Sequence, residues 1–330
     1  MKRILLTFGL VCLFSAGNLG ATVFFLSNME SGAGWGVNSF GDGDHAATFG
    51  YDYSADGIPE APHTMGGDAA TTGLKLEANQ SAPDSAAGFT VYPMGQSFSG
   101  NFQLRFDAWM SYDVNERVNG GASGTTEFLG GGVGYDSASA DIGSGAQAIA
   151  TGDGGSGNDW RVFKDGFFVP ATAMPAGSRN GSDPYYSDFL PGVAPPAGQL
   201  QAAFDPGIVG SPGFQWITWL FTVVNNGVDV ARVDIDIMKP GGESLRIASL
   251  DCLDTTDSST GCTSQGNISL FYADFFSSVT PRPDLTFGLI DNVIVTDELL
   301  TNPTVPEPTS LTLFGLGLAG LIFAGRRSRK

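Results

Sequence analysis

In the segment Phe102-Gln103-Leu104-Arg105-Phe106-Asp107-Ala108-Trp109-Met110, polar or aromatic residues alternate with apolar ones. A period of two places Phe102, Leu104, Phe106, Ala108 and Met110 on one side of a strand and Gln103, Arg105, Asp107 and Trp109 on the other. The second set is a sugar-binding inventory. A pyranose stacks its C–H face on an aromatic ring while its hydroxyls meet a guanidinium and a carboxylate. Arg232, Asp234 and Asp236 repeat the pattern on a later strand and join the first set if the strands share a sheet. The plainer account, preferred on these residues alone, covers Trp109 with the loop 171–213 and pairs the charges at the surface.

Catalysis finds less support. Asp234 and Asp236 stand about 7 Å apart on one strand face, near the separations used by glycosidases, but Arg232 beside them makes an ordinary polar face. The two histidines, His45 and His63, lie among turn residues. There is no Gly-x-Ser-x-Gly elbow and no Glu-x-Asp-x-x-Glu motif. Cys12 lies in the apolar N-terminus, which leaves Cys252 and Cys262 as an isolated close pair. In an exported chain such a pair forms a disulfide, worth about 2–3 kcal/mol for so short a loop.

The elements that carry these residues read as strands. Trp216 to Val224 is nearly continuous and apolar; Asn225-Asn226-Gly227 turns the chain, since Asn and Gly tolerate positive φ. Val228 to Met238 returns, and Pro240-Gly241-Gly242 precedes a strand from Ser244 to Leu250. Further strands are expected at Phe128–Tyr135, Trp160–Val169, Asn267–Phe276 and Leu285–Thr296. The Gly/Ser/Pro-rich stretches Ala138–Asn158 and Ala171–Gly213 are too long for hairpin loops and should run over the surface or pack as lids. Many strands with scarce helical periodicity predict an all-β chain, an antiparallel β-sandwich of jelly-roll type, in one domain over residues 22–302.

Glycine (47 residues) and proline (18) are abundant, but an aromatic content of 11% argues against simple disorder. With the basic residues of the two ends set aside, the body keeps ten basic against 33 acidic residues, a net charge near −23. Such a surface repels nucleic acid, so no nucleic-acid partner is expected.

Both ends read as addresses. Met1-Lys2-Arg3, the apolar run Ile4–Phe14 and the small residues Ser15, Ala16, Gly17, Gly20 and Ala21 make a secretory signal peptide over residues 1–21. At the other end, Val305-Pro306-Glu307-Pro308 precedes an apolar run and a basic terminus, Arg326-Arg327-Ser328-Arg329-Lys330. Residues 310–325 would form a transmembrane helix of about 24 Å, short of a bilayer core of about 30 Å, with the basic end cytoplasmic and the body outside. This tail resembles the PEP-CTERM sorting segment of exported proteins, here residues 303–330. The resemblance implies recognition of Val305, Pro306, Glu307 and Pro308 by a membrane protease, exosortase. It also implies anchoring at the inner membrane, followed by a cell-surface or matrix location once the tail is processed.

The body is similar to concanavalin A-like and laminin-G-like jelly rolls in the pattern Trp219–Val224, Val228–Met238 and Phe287–Val295. Asn28-Met29-Glu30-Ser31-Gly32 near the start, with Ile290-Asp291-Asn292-Val293 near the end, resembles carbohydrate-binding-module jelly rolls. That resemblance implies first and last strands side by side and a structural calcium held by Glu30 and Asp291, an ion suited to oxygen-only ligands. The acidic turns at Asp42/Asp44 and Asp251/Asp254/Asp257 read as solvated turns. The resulting expectation is a non-catalytic surface or matrix protein that binds exopolysaccharide through Arg105, Asp107 and Trp109. A glycan-active hydrolase or lyase and a ligand-free structural protein are the competing classes.

Overall fold

A computed structural model describes residues 21–297 apart from residues 42, 65–68, 82–85, 119–123, 141, 202–207, 257–259 and 277. The signal peptide, the sorting motif Val305–Pro308 and the run 310–325 lie outside the described residues. Among those described, no helix is long and apolar enough to cross a membrane.

The described chain is all-β, two antiparallel sheets laid face to face. In chain order the strands are β1 (Val23–Ser27), β2 (Trp35–Phe40), β3 (His45–Asp52), β4 (Thr72–Ala78), β5 (Ala87–Pro93), β6 (Phe102–Ser111), β7 (Phe128–Tyr135) and β8 (Ala146–Thr151). There follow β9 (Trp160–Lys164), β10 (Phe167–Phe168), β11 (Ile217–Asn225), β12 (Ala231–Met238), β13 (Ser244–Asp251), β14 (Asn267–Asp274) and β15 (Phe287–Thr296). The larger sheet runs β13-β12-β11-β6-β15-β4-β3, with β1 also on β15; the smaller runs β10-β9-β8-β7-β14-β5-β2. First and last strands do lie side by side, Ser27 opposite Val293 and Leu26 opposite Ile294.

The alternation in β6 does what its period requires. Phe102, Leu104, Phe106, Ala108 and Met110 enter the core between the sheets, against Trp219, Phe221, Val233, Ile235, Val293 and Val295. Burying a side chain of this size contributes roughly 1.5–3 kcal/mol each. On the smaller sheet Gly131 lets the layers approach: a Cβ there would lie 2.3 Å from Ser269 O and 3.1 Å from Phe106 Cζ.

Three expectations need correction. Trp160–Val169 is not one strand, because Asp165 (φ 43°) and Gly166 (φ 81°) turn it into the β9–β10 hairpin, with Lys164 opposite Phe167. The Asp-Gly pair is the turn signal that its apolar flanks obscured. The stretch Ala138–Asn158 is not all loop: it contains β8, wholly buried between β7 and β9. The return strand after the Asn225-Asn226-Gly227 turn begins at Ala231 rather than Val228, since Asn226 Oδ1 accepts from Val228 N, Asp229 N and Val230 N and holds them out of the ladder. By contrast, the described part of 171–213 does pack as a lid. Tyr186 stacks on Trp160 at 5.1 Å between ring centroids, and Trp160 Nε1 donates to Gly210 O at 2.9 Å. Cys252 and Cys262 are disulfide-bonded, with Cα atoms 4.4 Å apart.

Candidate functional site

The outward side of β6 is the middle of the larger sheet's outer face, and register shows what flanks each residue. Gln103 stands between Thr222 and Thr296, Arg105 between Leu220 and Ile294, and Asp107 between Thr218 and Asp291. One strand further, Asp234 faces Thr222 and Asp236 faces Leu220. The sheet therefore brings Arg105, Asp107, Asp234 and Asp236 onto one surface.

Trp109 is on that surface but covered, as the plainer account has it, and is not an open stacking platform. It is 4% exposed, its ring 5.6 Å from that of Trp216, in an apolar cluster with Tyr53, Ile58, Phe214, Phe287 and Leu289. Val193 and Ile208 of the lid pack against the same cluster. Trp216 is tied in place by its Nε1, which donates to Pro59 O at 2.8 Å. A covered indole strengthens the fold here and offers no face to a sugar.

Asp107 is fully buried and accepts from four donors. Oδ1 takes Thr218 Oγ1 at 2.7 Å and His63 Nδ1 at 2.8 Å; Oδ2 takes Asn292 Nδ2 at 3.0 Å and His63 N at 3.1 Å. A carboxylate can only accept, so the proton on this histidine is assigned to Nδ1. The His63 side chain keeps 12% of its surface exposed. Nearby, Tyr53 Oη donates to Asp291 Oδ2 at 3.0 Å, and burial, chiefly, raises that phenol beyond the ordinary tyrosine range. Sequence reasoning set His63 aside as one of two histidines among turn residues and gave it no role. Its loop has no periodicity, and nothing local shows that Ala61-Pro62-His63 folds down onto a strand 44 residues away.

The outer charges are paired. Asp234 lies 2.8 Å from Arg246 and 3.3 Å from Arg232, and Arg246 Nε donates to Asp236 Oδ1 at 2.6 Å. Burial raises the Asp236 carboxyl, and the Arg246 hydrogen bond opposes that rise. An arginine bridging both carboxylates makes a polar face, not a glycosidase pair.

Arg105 is different. It is 9% exposed, and neither a hydrogen bond nor an ion pair to any described residue answers its guanidinium; its Nε is buried without a partner. Burial lowers its pKa, with the charge of Asp107 acting in the opposite sense. Its Nε, buried with no acceptor among the described residues, is an unanswered polar group of this face, a deficit of about 1–3 kcal/mol. Leu220 and Ile294 flank it, and the row continues to the half-exposed Leu26 on β1. Leu26 also lines a groove of about 560 Å³ together with Trp35, Met94 and Gln96.

Glu30 and Asp291 are each engaged by other donors. Ala69 N donates to Glu30 Oε1 at 2.8 Å, and Asn292 N to Asp291 Oδ1 at 2.7 Å, where Asn292 (φ 54°) makes a bulge in β15. Among the described residues no group of three or more His, Cys, Asp or Glu side chains is arranged to hold a metal ion.

No curated protein matches this chain. Solved structures with a similar chain path include the PL-14 alginate lyase from Aplysia kurodai, at 13% identity over 78% of this chain and 89% of that one, with a TM-score of 0.35. The exoplasmic/lumenal domain of VIP36 in a Ca2+/Man-bound form follows at 10% identity, 85% and 91% coverage and a TM-score of 0.38. The binding domain of botulinum neurotoxin serotype G matches at 11% identity, 84% and 48% coverage and a TM-score of 0.34. One family model matches, and it matches the tail: residues 304–330 carry the PEP-CTERM protein-sorting motif expected from Val305-Pro306-Glu307-Pro308.

Proposed function

We propose that this is an exported protein of the cell surface or extracellular matrix whose β-sandwich binds polysaccharide on the outer face of the larger sheet, without catalysis. Delivery follows from the two ends. The signal peptide exports the chain, residues 310–325 hold it at the inner membrane with the body outside, and exosortase-type processing at Val305–Pro308 releases it to the envelope. The observation that carries the binding reading is Arg105, a nearly buried guanidinium with no hydrogen-bond or ion-pair partner among the described residues. A guanidinium held in a sheet and flanked by aliphatic side chains suits a sugar: bidentate contact to hydroxyls or a carboxylate, apolar contact to ring C–H groups. The acidic balance of the body repels polyanions, nucleic acid included, and so favours a neutral or weakly charged glycan.

A second reading, a glycan hydrolase or lyase, is favoured by one observation. His63 is oriented through Nδ1 by a buried carboxylate, the arrangement that prepares a general base at the other ring nitrogen. Incubating the purified exported protein with a panel of polysaccharides, and following both retention and new reducing ends, separates the readings. Retention without cleavage supports the proposal; cleavage abolished by His63→Ala supports the enzyme; neither activity on any polysaccharide, the host's own matrix included, overturns both.

A further inference from the structure

At one end of the sandwich, away from the Arg105 face, three elements converge on a single amide. Asn79 follows β4 directly in the left-handed region (φ 51°) and is fully buried. Its Nδ2 lies 2.6 Å from Asp274 Oδ2 at the end of β14, 3.3 Å from Phe276 O and 3.2 Å from Ser278 O. As placed, the amide nitrogen donates to all three with only two hydrogens, so one hydrogen must be shared between two acceptors. Its own Oδ1, equally buried, accepts no hydrogen bond.

The surroundings are acidic. Glu127, immediately before β7, is 2% exposed, and its Oε2 is buried without a partner. The charges acting on it are those of Asp274, Asp153 and Asp44, all carboxylates. Arg117 stands nearby, but it answers Asp153 at 3.7 Å and the carbonyls of Asp153 and Gly154 at 2.9 and 3.0 Å. Glu127 and Asp274 thus share a buried, oxygen-rich end of the fold; Asn79 Nδ2 and Phe276 N donate to Asp274, but no cation among the described residues pairs with either carboxylate.

We propose that Asn79, Asp274 and the carbonyls of Phe276 and Ser278 hold a calcium ion, with Glu127 supplying the second carboxylate. Turning the Asn79 amide by 180° places Oδ1 where Nδ2 now stands, among three other oxygens. Four oxygens with no hydrogen between them repel unless a cation joins them. The separations of 2.6–3.3 Å around that atom approach the edges of a calcium polyhedron, about 2.8–3.4 Å for Ca–O distances of 2.3–2.6 Å. Two carboxylates, an amide and carbonyls are a hard, all-oxygen set that suits calcium over zinc or copper. Asn79 closes the larger sheet's β4 and Asp274 the smaller sheet's β14, so the ion clips the two sheets together. This site is separate from Glu30 and Asp291.

The exported protein, dialysed against EGTA and titrated with CaCl2 by calorimetry, is expected to bind one Ca2+ at this site in the range of about 0.1–1 mM typical of extracellular modules. Asp274→Asn and Glu127→Gln should each weaken that binding at least tenfold, while Glu30→Gln leaves it unchanged. Anomalous scattering from wild-type crystals grown with calcium locates the ion without relying on any variant. A peak beside Asp274 Oδ2 supports the site. A peak elsewhere only, no saturable binding at millimolar calcium, or binding unchanged in folded Asp274→Asn/Glu127→Gln protein overturns it.

Discussion

His63 Nδ1 lies 2.8 Å from Asp107 Oδ1, and the same carboxylate takes the His63 backbone N–H at 3.1 Å. One side chain of the central strand thereby holds the 57–64 loop to the sheet by both main chain and ring. Thr218 and Asn292 complete its four acceptor bonds, joining β11, β6 and the β15 bulge around one carboxylate.

Removing that carboxylate leaves buried donors unanswered. Asp107→Ala should destabilise the protein by about 3–5 kcal/mol, the cost of opening a buried charged network. His63→Ala, whose ring is partly exposed, should cost about 1–2 kcal/mol. Urea unfolding checks both. Asp107→Ala within 1 kcal/mol of wild type contradicts the keystone role.

Trp109→Ala should cost about 3–5 kcal/mol, because the indole fills a closed cluster with Trp216, Phe287 and Leu289. Trp109→Phe, which keeps most of the packing, should leave polysaccharide binding within about twofold of wild type. A binding loss greater than tenfold in folded Trp109→Phe protein would restore the stacking role that the covered geometry denies it.

Burial raises the Asp274 carboxyl from 3.8 to about 6, and raises Glu127 and Asp153 as well. A group raised on folding stabilises fully below its unfolded value and loses that contribution as pH climbs through its folded one. For Asp274 alone the swing is at most about 3 kcal/mol. In calcium-free buffer the melting temperature should therefore fall between about pH 4 and pH 7. The acidic net charge adds a drift of the same sign, so the isolating measurement is Asp274→Asn, which should flatten the slope. An unchanged slope in that variant contradicts the assignment.

Much of the fold was legible in the sequence. β7 occupies the expected span Phe128–Tyr135, and β6, β11 and β12 differ from their expected spans only at the ends. Those strands carry large β-branched or aromatic residues on one face. β8, Ala-Gln-Ala-Ile-Ala-Thr, is buried on both sides; every second residue is alanine, a weak strand former, and Ile149 breaks the polar row of Gln147 and Thr151. β2 and β3, which follow β1, carry many small and polar residues on glycine-rich ground, and their pairing is set by β5 and β4. At the candidate face, period two placed Arg105 and Asp107 together correctly. Trp109 is covered by residues as far off in sequence as Tyr53, Val193 and Phe287, and Asp107 is bound by His63, Thr218 and Asn292, which lie 44, 111 and 185 residues away; no local pattern encodes such contacts.

Arg105→Met is the variant that tests the central claim. It keeps the aliphatic stem between Leu220 and Ile294 and removes a charge that no described residue pairs, so stability should hold or rise by about 1–3 kcal/mol. Affinity electrophoresis of the exported protein through gels containing its host's matrix polysaccharide makes the comparison directly. Retardation of the wild type with at least a tenfold weaker interaction for Arg105→Met is the predicted result. Equal retardation of the two proteins, or free migration of the wild type, contradicts a ligand face centred on Arg105.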